Sequence, residues 1–167
     1  MNKHTSKYWI EQLQLRAHPE GGYYKEVYRS SRAFTPTEIG QERNYATSIY
    51  FLIEAGNASH FHSIQQDELW YYHAGDPLSV FIFSEDGALD EIKIGPHIDQ
   101  GQTLQAVIPA GAIFGSKSSG EYSLVSCMVS PGFDFDDFKL YRQSELLERF
   151  PNQGKIIKEL GWVQKDL

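Results

Sequence analysis

Two imidazoles and a carboxylate carry the densest chemistry in the chain. His60 and His62 stand one residue apart and are followed by Glu68, Trp70 and Tyr72. In an extended strand alternate side chains share a face, so this spacing predicts that His60 and His62 project together while Phe61 projects oppositely. Residues 63–67 can turn the chain and return Glu68 on a neighbouring strand, facing both rings. Two His and one carboxylate on adjoining strands form the facial set used by non-haem iron, and the set also suits zinc or manganese. Such a site leaves coordination positions open for water or substrate. The same groups can work without a metal. His62 then serves as a base near neutral pH, Glu68 holds its tautomer, and Tyr72 or Tyr50 supplies the opposite proton.

Trp70 and Tyr72 fall on the face of Glu68. With Tyr50 and Tyr23 they predict aromatic walls able to stack on a ring and hydrogen-bond through hydroxyls. His73 falls on the opposite face. His18-Pro19-Glu20-Gly21-Gly22 reads as a turn, with Pro19 fixing φ and the glycines permitting a sharp bend. Glu20 and the strand that follows are placed to close one end of the pocket, Lys25 or Arg29 neutralising an anionic substrate. Strict alternation puts Tyr23, Lys25, Val27 and Arg29 on one face and Tyr24, Glu26 and Tyr28 on the other. Residues 131–135 read as an ordered loop packing aromatics over the mouth, with Asp134 capping its own backbone. Cys127, in an apolar strand, reads as buried and inert.

The elements that must position these groups are strands. Runs of β-branched and aromatic residues at 23–31, 45–53, 59–64, 69–73, 78–83, 89–94, 103–108, 113–117 and 122–129 are separated by Gly, Pro, Asp and Ser. This spacing, without helical spacers, predicts an all-β antiparallel sandwich or barrel and excludes a parallel α/β sheet. The ends differ. Ser6 is placed to cap a first helix with Tyr8, Trp9 and Leu13 as its apolar stripe. Segments 143–150 and 154–161 predict short amphipathic helices, Ser144 capping the first and Gly161 ending the second. The 167 residues read as a single domain, with a barrel core over about 21–140 and a C-terminal helical segment over about 143–161.

Composition bounds the function. Hydrophobic residues at 41% and charged residues at 22% suit a folded globular chain, and a net charge of −7 gives no basic footprint for nucleic acid or an anionic membrane. A single cysteine, Cys127, excludes an intrachain disulfide and a cysteine-built zinc site. No apolar run approaches the roughly 18 residues that a spanning helix needs. Residues 1–9 are polar and lack a signal-peptide core, so a soluble, cytoplasmic protein is expected. No phosphate-cradling glycine loop, nucleophile elbow or dinucleotide fingerprint is present.

The His60-x-His62, Glu68 and Gly75 pattern resembles the first cupin motif, and Pro109-Ala110-Gly111 the heart of the second. His18-Pro19-Glu20-Gly21-Gly22-Tyr23 and Pro131-Gly132-Phe133-Asp134-Phe135 resemble the hallmarks of a single-domain cupin subgroup of unknown function. Asp67-Glu68-Leu69-Trp70 and Gly75-Asp76-Pro77-Leu78 fit it too. The resemblance implies a cupin double-stranded β-helix, or jelly-roll barrel, commonly a homodimer. It also implies a metal on His60, His62 and Glu68, with Fe, Mn, Zn or Ni as the divalent ion. The slot of the fourth cupin ligand holds Phe114, which then becomes part of the ligand pocket. Asp67 fits the usual spacing from His62, whereas Glu68 keeps the distance to Gly75 and the face of Trp70. Ser63 and Tyr71 stand where the subgroup more often has Arg and His. By analogy with sugar-nucleotide epimerases on cupin barrels, the implied function is proton transfer on a carbohydrate-like or carbonyl-containing metabolite. The alternatives are a non-catalytic small-ligand-binding cupin and a metal-dependent oxygenase or isomerase.

Overall fold

The computed structural model describes residues 4–84 and 86–164. Helix α1 (Ser6–Leu13) is followed by strands β1 (Arg16–Ala17), β2 (Tyr23–Arg29), β3 (Ala33–Phe34), β4 (Arg43–Asn44), β5 (Thr47–Glu54), β6 (Ser59–Ser63) and β7 (Asp67–Gly75). Then come β8 (Leu78–Phe83), β9 (Leu89–Ile94), β10 (Gln105–Ile108), β11 (Ile113–Ser118), β12 (Tyr122–Ser130) and β13 (Lys139–Leu140), and finally helices α2 (Gln143–Arg149) and α3 (Gly154–Leu160). The longer strands coincide with the β-branched and aromatic runs, as expected of side chains that pack well on a pleated surface. They form two antiparallel sheets, ordered β1-β2-β5-β12-β7-β10 and β13-β6-β11-β8-β9, while β3 and β4 pair separately. This is the jelly-roll barrel.

The core lies between the sheets. Phe51, Ile53, Trp70 and Val125 of the first sheet meet Leu78, Val80 and Phe114 of the second. Burying each such side chain stabilises the fold by about 1.5–3 kcal/mol. The outer faces are covered by the helices. Trp9, Ile10 and Leu13 of α1 pack with Tyr23, Tyr50, Leu52, Tyr122 and Leu124 against the six-stranded sheet. Leu146 of α2 and Ile157 and Leu160 of α3 pack on Phe61 and Phe83 of the other.

Helix capping differs from expectation. Thr5, not Ser6, caps α1, its hydroxyl accepting the Tyr8 amide at 3.3 Å. Ser144 lies inside α2, which has no side-chain cap. The Gln143 amide donates to the Trp162 carbonyl at 2.9 Å instead, so the chain's return over the helix end satisfies that donor.

Of the register shifts between strands, one in β7 against β12 lies beyond Tyr72, and those in β2 and β6 position the interior. In β2 the register against β5 shifts between Glu26 and Tyr28, at Val27. In β6 it shifts against β11: Phe114 faces His62 while Ser116 faces Ser59, one residue more on β6 than on β11. Gly115 sits opposite this bulge. A Cβ there would lie 3.1 Å from both the Phe61 ring and the Ser59 carbonyl, so glycine permits the close approach. An extra residue inverts which side chains face inward beyond it.

Candidate active site

The bulges decide which groups reach the interior. In β6, Ser59 and His62 both contact the carboxyl of Glu20, while Phe61 packs under α2 and α3. The His60 ring turns away, its Nδ1 lying 3.1 Å from the Leu160 carbonyl, and it lines a separate hollow with Asn57, Lys117 and Glu159. The expected partnership of His60 with His62 therefore fails. Alternation does not survive the extra residue. In β2, Tyr24, Glu26 and Arg29 all line the cavity, opposite Phe51, Ile49 and Thr47 respectively, so the bulge joins residues that strict alternation would separate.

Glu20 is delivered by the turn before β2. The Gly21 amide donates to the His18 carbonyl at 3.0 Å. Gly21 has φ 105° and abuts the Ala58 carbonyl where a Cβ would stand, so no other residue fits the bend. The Glu20 Oε1 accepts the Ser59 hydroxyl at 2.8 Å. Its Oε2 lies 3.2 Å from His62 Nε2 and 3.4 Å from His18 Nδ1.

Hydrogen-bond partners assign the protons. His62 Nδ1 faces the His60 carbonyl at 2.7 Å and must donate to it. Its Nε2 then presents a lone pair to Glu20, and one proton must lie between them. Burial pushes Glu20 up to about 8, with the Ser59 bond opposing. Burial also holds His62 below its ordinary value, against the attraction of Glu68. At neutral pH the shared proton therefore resides on Glu20, which donates to a neutral imidazole. His18 Nδ1 accepts the Glu20 amide at 3.3 Å, which places its own proton on Nε2. Burial, then repulsion from His62 and Arg16, pushes His18 down to about 3.

Glu68, at 9% exposure, completes the group from β7. Burial and then the charge of Glu20 raise it to about 7, against the pull of His62, the Trp70 indole and the Cys127 thiol. The Trp70 N–H stands near this carboxyl but outside hydrogen-bond geometry. Asp67 turns outward and accepts the Ala110 amide at 2.8 Å, leaving Glu68 as the inward carboxyl. These groups floor a cavity of about 360 Å³. Tyr24, Phe51 and Cys127 form its walls, and Arg16, Arg29 and Phe135 its mouth.

The structure thus brings Glu20, His62 and Glu68 together, with Phe114 against His62, and it separates the remaining expected site residues from them. Tyr23 and Tyr50 lie on the outer face beneath α1. Tyr72 is further along β7, and its hydroxyl is occupied by the Gly75 carbonyl at 2.8 Å. Trp70 fills the core between Phe51 and Phe114 and does not line the cavity. The Phe114 ring lies against His62, with centroids 4.2 Å apart and planes tilted by 57°, and does not line the cavity. Sequence reasoning missed His18, Arg16 and Tyr24. The signal for His18 was its place two residues before Glu20, in a string read only as a turn.

The metal set implied by the cupin resemblance does not fit these residues. His60 points out of the barrel, Phe114 covers His62 where a fourth ligand would stand, and Glu20 occupies His62 Nε2. Among the described residues no group of three or more His, Cys, Asp or Glu is placed to hold a metal ion.

The jelly-roll barrel is the fold of the cupins. Residues 7–141 match the family model described as Cupin superfamily (DUF985), and the chain belongs to that family. A hypothetical protein from Leishmania major is 40% identical, with a TM-score of 0.88 over 96% of this chain and 100% of that one. An uncharacterized protein of Saccharomyces cerevisiae is 29% identical over 161 residues, covering 87% of this chain and 80% of its own. A Bacillus subtilis oxalate decarboxylase variant matches 89% of this chain and 38% of its own at 18% identity, with a TM-score of 0.56, a likeness of fold alone.

Proposed function

We propose that the cavity carries out isomerase- or epimerase-type proton transfer on a small carbonyl-containing, carbohydrate-like metabolite. Glu68 is the base, Glu20 is the acid, and His62 holds the proton of Glu20 in place. The supporting observation is the buried contact of 3.2 Å between Glu20 Oε2 and His62 Nε2, with Glu68 on the same cavity floor. Titration near 8 and near 7 lets one carboxyl keep its proton while the other gives it up at neutral pH.

The Glu68 carboxylate takes the proton from the carbon beside the substrate carbonyl. The C–H electron pair becomes the C=C bond of an enol, and the carbonyl oxygen takes the proton of Glu20. In the enediol so formed, Glu20 takes up the proton of the neighbouring hydroxyl while Glu68 delivers its proton to the former carbonyl carbon, so that the carbonyl moves by one carbon and both acids return to their starting states. No electrons leave the substrate. Tyr72, with its hydroxyl committed to Gly75, has no part in this scheme. Membership of the cupin family is compatible with this chemistry but does not select it, because a fold hosts many functions.

Incubation in deuterium oxide with a panel of aldoses and ketoses tests the reading. Label should enter the carbon next to the carbonyl, and Glu68→Gln should slow its entry by about 100-fold or more. Binding of panel members without label in any of them would leave a ligand-binding cupin as the surviving account.

A further inference from the structure

The two arginines at the cavity mouth are not equivalent. Arg29 is already neutralised: its Nε and Nη2 bind the two oxygens of Glu26 at 3.0 and 2.7 Å, and its Nη1 donates to Asn44 at 2.8 Å. Arg16 has no such partner. Among the described residues it makes neither an ion pair nor a side-chain hydrogen bond. It is nonetheless held in place, because β1 pairs Arg16 with Tyr24 and the guanidinium lies over the tyrosine ring, 4.9 Å from its centroid. Stacking of this kind fixes a planar cation while leaving its donors free at the edge.

A second group beside it also lacks a partner. The His18 side chain is 7% exposed, and its Nδ1 is used by the Glu20 amide. The remaining Nε2–H lines the cavity without a hydrogen-bond acceptor among the described residues. It opens onto the cavity, where an acceptor oxygen of a ligand can reach it. Below both groups Glu20 is the protonated acid, Glu26 is neutralised by Arg29, and Glu68 and Asp134 are the lining carboxyls that an anion meets, which leaves Arg16 as the unpaired charge that can attract it.

We propose that the ligand is a small anionic carbonyl compound, its carboxylate or phosphate bound by Arg16 and an acceptor oxygen bound by His18 Nε2. This rests on the proton-transfer reading for the carbonyl but not for the anion. The cavity volume of about 360 Å³ is near the lower limit of small-molecule pockets and suits a ligand of a few carbons.

Pyruvate, dihydroxyacetone phosphate and neutral dihydroxyacetone are titrated into the protein while the imidazole resonances of His18 are followed by NMR. At least one anion should move the His18 Nε2 resonance and bind about tenfold or more tightly than dihydroxyacetone, and the stronger anion identifies the charged group. Arg16→Gln should abolish that preference, and Arg16→Lys should restore part of it. Because Arg16 is exposed on a two-residue edge strand, an unchanged melting temperature will show that the variants fold. Equal binding of dihydroxyacetone, a preference surviving in Arg16→Gln, or an unmoved His18 resonance with every probe overturns the proposal. Deuterium incorporation in the same samples separates the two readings. Anion preference without label defeats proton transfer alone, whereas label without anion preference defeats this inference alone.

Discussion

Along β7 the barrel interior passes from wet to dry within two residues. Glu68 reaches the cavity floor, and Trp70, next on the same face, is 1% exposed among Phe51 and Phe114. Beyond it Leu78, Val80 and Ile94 fill the barrel, with the Ser116 hydroxyl, opposite Val80, a buried polar group among them. The dry end supplies stability in proportion to the apolar area hidden. The wet end costs stability, because Glu20, His62 and Glu68 must shed water and take uncharged or shared-proton states. Trp70 is the partition that lets one barrel carry both.

Removing the partition should have the largest effect on stability. Trp70→Ala leaves a cavity in the core and should cost about 3–5 kcal/mol in urea unfolding, with water admitted behind Glu68. Next is the clamp that holds the aromatic mouth loop. Arg43 binds both oxygens of Asp137 at 2.7 Å in a buried pair that Gln66 also joins. Arg43→Met leaves that carboxylate unpaired and should cost about 3–5 kcal/mol, read in the same way.

The wet end should reveal itself through pH. Glu20 and Glu68 titrate higher in the folded chain than in the unfolded one, so the native state holds extra protons above about pH 4.5, and stability falls as pH rises towards 8. His18, pushed down to about 3, does the opposite. Its contribution is complete above about pH 6.5 and is lost as pH falls towards 3. From these three groups stability should peak near about pH 4.5, decline below it through His18, and decline above it because the two carboxyls outweigh the one imidazole, most steeply between about 6.5 and 7. Glu20→Gln should flatten the alkaline decline while retaining the Ser59 and His62 contacts. The smallest effect belongs to the outward imidazole. His60→Ala should cost about 1 kcal/mol through its lost bond to Leu160 and leave deuterium exchange within about twofold, whereas His62→Ala should abolish exchange.

The barrel was legible in the sequence because its signals are local: aromatic and β-branched runs, broken by Gly and Pro. His62 and Glu68 were legible as a chemical pair, whereas Glu20 was legible only as a residue closing one end of the pocket. Their geometry was not, because the bulge that turns His60 outward depends on Gly115, on a different strand. The bulge at Val27 likewise depends on pairing with β5, and it brings Arg29 to the side of Tyr24 and Glu26. The tyrosines misled because a hydroxyl near polar residues does not reveal its partner. Tyr72 bonds to Gly75, and Tyr23 and Tyr50 serve the α1 interface.

The central claim is that a buried acid, protonated at neutral pH, shares its proton with His62 beneath an open cavity. Titration of the side-chain carboxyl carbons of Glu20 and Glu68 by NMR tests it most directly. Midpoints near 8 and near 7 are predicted, with the Glu20 transition moving the His62 ring resonances. Ordinary midpoints near 4.5 for both groups, with His62 indifferent to either, would contradict it.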